Sequence, residues 1–167
     1  MVKKRRVFEQ GHRRKFLVIV DETPEVERAI FFAASRIGHT GGEIVLFYVI
    51  EPTDFTQWAG VKAMQVEEET AKAKALFRLS RRKLDKAGFE AIPTEEVVRA
   101  GKRPEEILKL IEEDEDIAIM ILGASTDSRG PGPLVSSLAT GKLAGSFPIP
   151  IVIVPGNLSL EELQALA

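Results

Sequence analysis

A chain of 167 residues with 44% hydrophobic content and a formal net charge of −2 is long enough for one domain with a real core. That balance excludes a disordered class and gives no whole-chain pull toward nucleic acid or membrane. With no cysteine, disulfides, thiol catalysis and zinc–thiolate sites are excluded, and no apolar run is long enough to span a bilayer, so the expectation is a cytoplasmic protein.

Residues 1–15 are basic, with Lys3, Lys4, Arg5, Arg6, Arg13, Arg14 and Lys15 set against Glu9. They read as a solvated, flexible leader; the alternative is an arm for nucleic acid or another anionic surface. Phe16 to Val20 is a short β-branched run that reads as a central strand buried on both faces. It ends at Asp21, after which Thr23 suits a helix cap and Pro24 a first helical position. Val26, Ala29, Ile30, Ala33, Ala34 and Ile37 then recur at helical spacing, and Gly38 and Gly41-Gly42 end that helix. Glu43 to Ile50 is the second strand. A loop containing Pro52, Trp58 and Gly60 follows, in which Trp58 reads as a flap or packing residue rather than a stacking platform.

From about Val61 to Ala87 the composition is that of a long helix, with Ala71, Ala75, Leu79 and Leu84 as the expected inward stripe. Glu67, Glu68 and Glu69 read as its solvated face, since adjacent acids do not converge on one side of a helix. Gly88 stops it. Phe89 to Val98 is a weaker third strand, placed at a sheet edge by Pro93. Glu105 to Glu113 is a short helix with Ile107, Leu108 and Ile111 inward. Ile117 to Gly123 is the fourth strand, a helix is expected from about Ser136 to Ser146, and Ile149 to Val154 is the fifth strand. Ser159 with Glu162 forms a capping-box pattern at the start of a C-terminal helix.

Strands alternating with helices imply an α/β fold: an open five-stranded parallel sheet with helices on both faces. The strand orders that fit place a switch point beside the first strand, with a ligand crevice outside the carboxyl ends of the strands flanking it. Asp21 ends the first strand and Gly123 the fourth. If the two strands are neighbours, both residues share that crevice. An ionised Asp21 is acceptor-only and suits sugar hydroxyls or an adenine amino group, or else it is a turn residue. The stretch from Gly123 through Ala124, Ser125 and Thr126 to Ser136 and Ser137 reads either as a phosphate cradle with free N–H groups at a helix start or as an ordinary strand-to-helix turn. Arg129 in that loop is placed to reach a phosphate or to stay solvated.

Residues 15–156 resemble the universal stress proteins. The first match is an apolar strand ending in Asp21, followed by Glu27, Ala29 and Ala33-Ala34. The others are Gly101-x-x-Pro104 with Ile107-Leu108, Asp116 through Gly123, and Pro150 through Pro155. The resemblance implies a Rossmann-like, adenine nucleotide alpha hydrolase-like fold with strand order 3-2-1-4-5. It implies a domain over residues 16–156, with residues 1–15 as leader and 157–167 as a short helical tail. ATP-binding members carry a loop G-x2-G-x9-G-[ST]. Here Gly123 is kept, Thr126 and Ser136 stand at the second and third glycine positions, and Ser137 is the final hydroxyl. The resemblance places adenine near Asp21 and Val49 and phosphates near Gly123, Thr126, Ser136 and Ser137. ATP or AMP would be the ligand, with magnesium only beside a triphosphate. It also implies a homodimer through the last strand, Ile151, Val152, Ile153 and Val154, whose apolar edge invites pairing.

The reading that follows is a regulatory, stress-response protein that binds an adenine nucleotide without turning it over. The alternatives are an interaction module whose phosphate loop has decayed, and a slow nucleotide hydrolase. Hydrolysis would call for a metal with carboxylate ligands, and Asp127 is the only acid in the loop.

Overall fold

Phe16, Leu17, Val18 and Ile19 are all almost fully buried, as a strand with neighbours on both edges and helices on both faces must be. In the computed structural model, which describes residues 3–52 and 59–167, these residues form β1 (Lys15–Ile19). Parallel pairing joins β1 to β2 (Glu43–Ile50) on one side and to β4 (Ile117–Ala124) on the other. Beyond β2 lies β3 (Thr94–Ala100), and beyond β4 lies β5 (Ile151–Pro155). The order β3-β2-β1-β4-β5 is the expected one. Pro93, which has no N–H to give a ladder, directly precedes β3 at the sheet edge.

Helices α1 (Val26–Thr40) and α2 (Ala59–Lys86) cover one face of the sheet, together with α4 (Leu160–Leu166). Helix α3 (Arg103–Glu113) and a π-helical turn (Val135–Ala139) cover the other. Every β-α-β unit is therefore a crossover, and the carboxyl ends of β1 and β4 lie side by side where the chain direction of winding reverses.

Four local expectations are corrected. First, Thr23 does not cap α1: its N–H and hydroxyl both donate to Asp21 Oδ1, a side-chain-closed turn, and the helix begins only at Val26. Second, the inward face of α2 is Ala73, Phe77, Ser80 and Leu84; Ala71, Ala75 and Leu79 are exposed. Both sets have helical spacing, and the large Phe77 ring decides which one turns to the sheet. Third, Leu110, not Leu108, joins Ile107 and Ile111 in the core under α3. Fourth, the helix after the loop starts at Pro133, not Ser136, and gives way to turns after Ala139. Proline suits a first helical position, and the Ser136 N–H is already bonded to Gly132 O at 3.1 Å.

Both ends of the chain are tied to the sheet. Arg5 donates from one guanidinium nitrogen to the carbonyls of Ile111 (2.7 Å), Asp114 (3.0 Å) and Ile117 (3.3 Å), at the end of α3 and the start of β4. His12 Nδ1 lies 2.6 Å from Asp116 Oδ1, and Lys15 Nζ bonds Asp114 and Glu95. The basic segment thus uses these charges on the α3 end rather than holding them in solvent. At the other terminus Leu163 of α4 is fully buried against the α1 face, and the Ser159–Glu162 capping box forms in both directions. No helix among the described residues is long and apolar enough to cross a membrane. Trp58 lies outside the described residues.

Candidate functional site

The crevice at the switch point is built from two turns. The first is the Asp21–Thr23 turn that follows β1. The second is the loop after β4, closed by a Ser125 N–H to Pro131 O bond of 3.0 Å and a Gly130 N–H to Asp127 O bond of 3.1 Å. The left-handed positions that bend this loop are Gly130 (φ 127) and Gly132 (φ 107). Pro131 and Pro133 stiffen it on either side. Thr126 has an ordinary negative φ, since no residue other than glycine is left-handed among the described residues. The loop therefore bends four to six residues later than the glycine spacing of the resemblance implies.

Between β1 and β4 these turns enclose a cavity of about 220 Å³ lined by Ile19, Asp21, Thr23, Arg103, Gly123 and Leu134, among others. It continues, past Thr23, Glu25 and Gly132, into an open groove of about 440 Å³ that carries Ser125, Asp127, Arg129 and Ser136. A further cavity of about 210 Å³ lies on the opposite side of Asp21 and Thr23, against Leu76, Leu79 and Ser80 of α2. The Asp21 turn is thus a partition with space on both sides.

Asp21 and Gly123 are brought together as expected, but Gly123 has a second reason to be glycine. A Cβ there would sit 2.2 Å from the Glu25 carbonyl oxygen and 2.7 Å from its carbon. The glycine is required for α1 to start against the end of β4. Arg129 and Ser136 share the outer groove. Thr126 points elsewhere, into a small cavity with Pro24, Glu25, Arg28 and Gly156. Val49 is buried in the core on the α3 face and lines none of these cavities. Ser137 is exposed on the π-helical turn and likewise lines none of them.

The charges around the crevice are mostly matched. Arg129 grips Asp127 with both Nε (3.0 Å) and a terminal nitrogen (2.8 Å), and its N–H bonds the same carboxylate. Those bonds hold the Asp127 carboxyl below its usual range. The Asp127 N–H donates to the Ser125 hydroxyl oxygen at 3.1 Å. Arg103 Nε sits 3.3 Å from Glu51. Glu25, Arg103 and Leu134, which the sequence reading did not single out, and Thr23, which it read as a helix cap, also line the crevice. Only Arg103 had a signal, because it lies inside Gly101-x-x-Pro104. No cluster able to hold a metal ion occurs among the described residues.

Of the strand expected to pair across a dimer, Val154 is buried, Ile151 and Val152 are half-buried against opposite faces of the core, and Ile153 is 40% exposed at the free edge of β5.

Comparison with known proteins gives the same fold. A universal stress protein from Lactobacillus plantarum shares 19% identity, covers 84% of this chain and 97% of its own, and superposes with a TM-score of 0.65. A universal stress protein solved in complex with cAMP shares 15% identity over 86% and 98% of the two chains, with a TM-score of 0.58. One from Archaeoglobus fulgidus in complex with dAMP shares 18% identity over 84% and 97%, also with a TM-score of 0.58. No curated protein matches the chain in sequence. The sequence pattern of the Universal stress protein family matches residues 12–155, so the chain, from His12 through the last strand, belongs to the universal stress protein family.

Proposed function

We propose that the protein is a regulatory nucleotide-binding protein that takes an adenine nucleotide of the AMP class into the crevice between β1 and β4. The observation that carries this reading is the approach of Asp21 and Gly123 to one cavity that opens into the Ser125–Ser136 groove. Asp21 keeps one carboxylate oxygen, Oδ2, outside the bonds from Thr23 and without a hydrogen-bond partner among the described residues, and such an acceptor suits a ribose hydroxyl or an exocyclic amine. The outer groove offers one cation, Arg129, beside the carboxylates of Glu25 and Asp127. One cation suits one phosphate better than three. The solved relatives in complex with cAMP and dAMP support the ligand class.

The test is to denature the purified protein, identify any released small molecule by mass spectrometry, and titrate AMP and ATP by calorimetry at physiological salt. An adenine nucleotide in the release, or AMP heat at micromolar concentration that exceeds the ATP response, is the expected result. No nucleotide and no heat at millimolar ligand overturns it.

A second reading has its own observation. The Glu25 carbonyl occupies the space beside Gly123 that a phosphate loop leaves to its ligand. On that reading the protein is a dimeric interaction module without nucleotide. In both readings the dimer forms at the β5 edge, where Ile153 is the exposed apolar side chain. Ile153→Asp then yields monomers by light scattering, and an unchanged mass removes β5 from the interface. Ile153 is a better probe than Val152, whose side chain packs on the core.

A further inference from the structure

Phe8 is 90% exposed, and no other large apolar side chain among the described residues is as open to solvent. It does not sit on a loose end. The turn that carries it is closed by Glu9 N–H to Arg6 O and His12 N–H to Glu9 O bonds of 3.0 Å each, with Gly11 left-handed (φ 83). Arg5 before the turn is bonded to the α3 end, and His12 after it to Asp116. The segment is therefore fastened on both sides of a phenyl ring that it holds out of the core. Beside that ring is a groove of about 520 Å³, with Val7, Ile37, Ile92 and Pro93 in its apolar lining and Arg13 and Arg14 as cations. Its residues directly precede β1, β2 and β3 in the chain, so it lies at the amino ends of the strands, at the opposite end of the sheet from the crevice.

No carboxylate lines this groove, in a chain whose 25 acids outnumber its 23 lysines and arginines. Glu9, Glu43 and Glu90 adjoin lining residues in the chain, and Glu9 is held by Arg6 at 2.7 Å. Arg13 is 61% exposed on its side chain, and its carboxylate partner, Glu43, is 3.9 Å away. Arg14 donates to the Thr40 hydroxyl at 2.6 Å and lies 4.9 Å over the Phe16 ring, with no carboxylate partner among the described residues. A third guanidinium, that of Arg81, reaches the Ile92 carbonyl at 3.4 Å. Aromatic and arginine side chains around an apolar depression are what protein interfaces concentrate. We propose that this groove docks a short acidic segment of a partner protein. One large apolar side chain of that segment enters between Phe8 and Ile92, and neighbouring carboxylates meet Arg13 and Arg14, whose guanidinium forks match them. Nucleic acid would leave the apolar lining unused and calls for more phosphate contacts than these arginines supply. A bilayer is met by a projecting apolar face rather than a concave one. The contact is small, so it is weak and reversible.

The test uses the full chain. A displayed library of random dodecapeptides is selected on the parent protein, and the enriched peptides are synthesised and titrated by fluorescence anisotropy. They are expected to carry Asp or Glu beside a large apolar residue and to bind less tightly as salt rises. Phe8→Ser and Arg13→Glu change exposed positions, and a far-UV spectrum with a urea midpoint checks that each variant is folded. Each is expected to weaken peptide binding by about tenfold or more, as truncation at the centre of an interface does. No enrichment, enrichment of peptides without acidic residues, or parent affinity in both variants overturns the proposal. So does tighter, Phe8-dependent binding of single-stranded DNA or of phosphatidylserine vesicles, because the occupant is then a nucleic acid or a lipid surface. A parent dimer that Phe8→Ser dissociates in sedimentation overturns it too, in favour of a second copy of this chain.

Discussion

Substituting Gly123→Ala separates what the fold demands of this glycine from what a ligand would demand. The added Cβ lies 2.2 Å from the Glu25 carbonyl oxygen, about 1 Å inside the closest ordinary contact of two such atoms. Neither partner is the flexible end of a side chain. The end of β4 and the start of α1 must therefore move apart, along the seam where Leu122 and Val26 are both buried. Overpacking of this kind costs about 1–3 kcal/mol, and a backbone-to-backbone clash belongs at the upper end. With a urea slope of about 2 kcal/mol/M, a loss of about 3 kcal/mol lowers the midpoint by about 1.5 M. Urea unfolding followed by far-UV circular dichroism, with AMP calorimetry on the same preparation, reads both consequences. An unchanged midpoint refutes the argument that Glu25 makes the position glycine. An unchanged midpoint with lost AMP binding would go further, because the space beside Gly123 would then belong to the ligand.

Three other substitutions test how the fold is held. Arg5→Ala removes the donor to three carbonyls at the junction of α3 and β4; it is expected to cost about 1–2 kcal/mol by urea unfolding, and no change would return the basic segment to solvent. Leu163→Ala, in a fully buried position of α4, is expected to cost about 2–5 kcal/mol, whereas a tail that merely hung from the domain would give a loss within error. Tyr48→Phe breaks the 2.6 Å bond from the phenol to Glu69 and acts on both limbs of the pH–stability curve. Burial first, then the bond to Glu69, raises the Tyr48 phenol to about 12 from 10.0, so this contribution is complete below pH 10 and is lost as pH rises toward 12. The bond from Tyr48, with help from Lys72, lowers the Glu69 carboxyl from 4.5, so its contribution is complete above that value and is lost as pH falls below it. The Phe variant should therefore have shallower slopes at both ends, and parallel curves would refute the pairing.

The parallel strands and a switch point beside the first were legible from strong signals, while the order β3-β2-β1-β4-β5, which brings Asp21 to Gly123, was implied by the resemblance to the universal stress proteins. Continuous β-branched runs mark strands buried on two faces, and right-handed crossovers leave few ways to arrange them. What stayed hidden depends on contacts between segments distant in the chain. Nothing in the composition of residues 3–15 tells that Arg5 will find three carbonyls of the α3 end, and a basic run looks the same docked or solvated. The face of α2 was ambiguous for a different reason. Ala71, Ala75 and Leu79 repeat at helical spacing as well as Ala73, Phe77 and Leu84 do, and periodicity cannot rank two stripes on one helix. The loop after β4 was misread because spacing was followed instead of backbone need. Its left-handed residues are Gly130 and Gly132, and Pro133 sets the helix start, which places Ser136 inside the turn.

The state of Arg129 decides how such a loop can serve an anion at all. Its guanidinium is 89% exposed on the side chain, and Asp127, on the same loop, is its partner. An exposed pair of this kind is worth little, because solvent screens it and ordering the side chains offsets part of the gain. A phosphate presents more acceptor oxygens and more charge to the same fork than one carboxylate does. On the proposed reading, exchange of Asp127 for a phosphate is therefore a small step in free energy. Asp127→Asn should release Arg129 and tighten AMP binding, with the gain largest at low salt, where the repulsion it removes is least screened. If AMP affinity in Asp127→Asn equals that of the parent at every ionic strength, Arg129 takes no part in holding the phosphate. The paired charges of the outer groove would then be features of a surface rather than of a site.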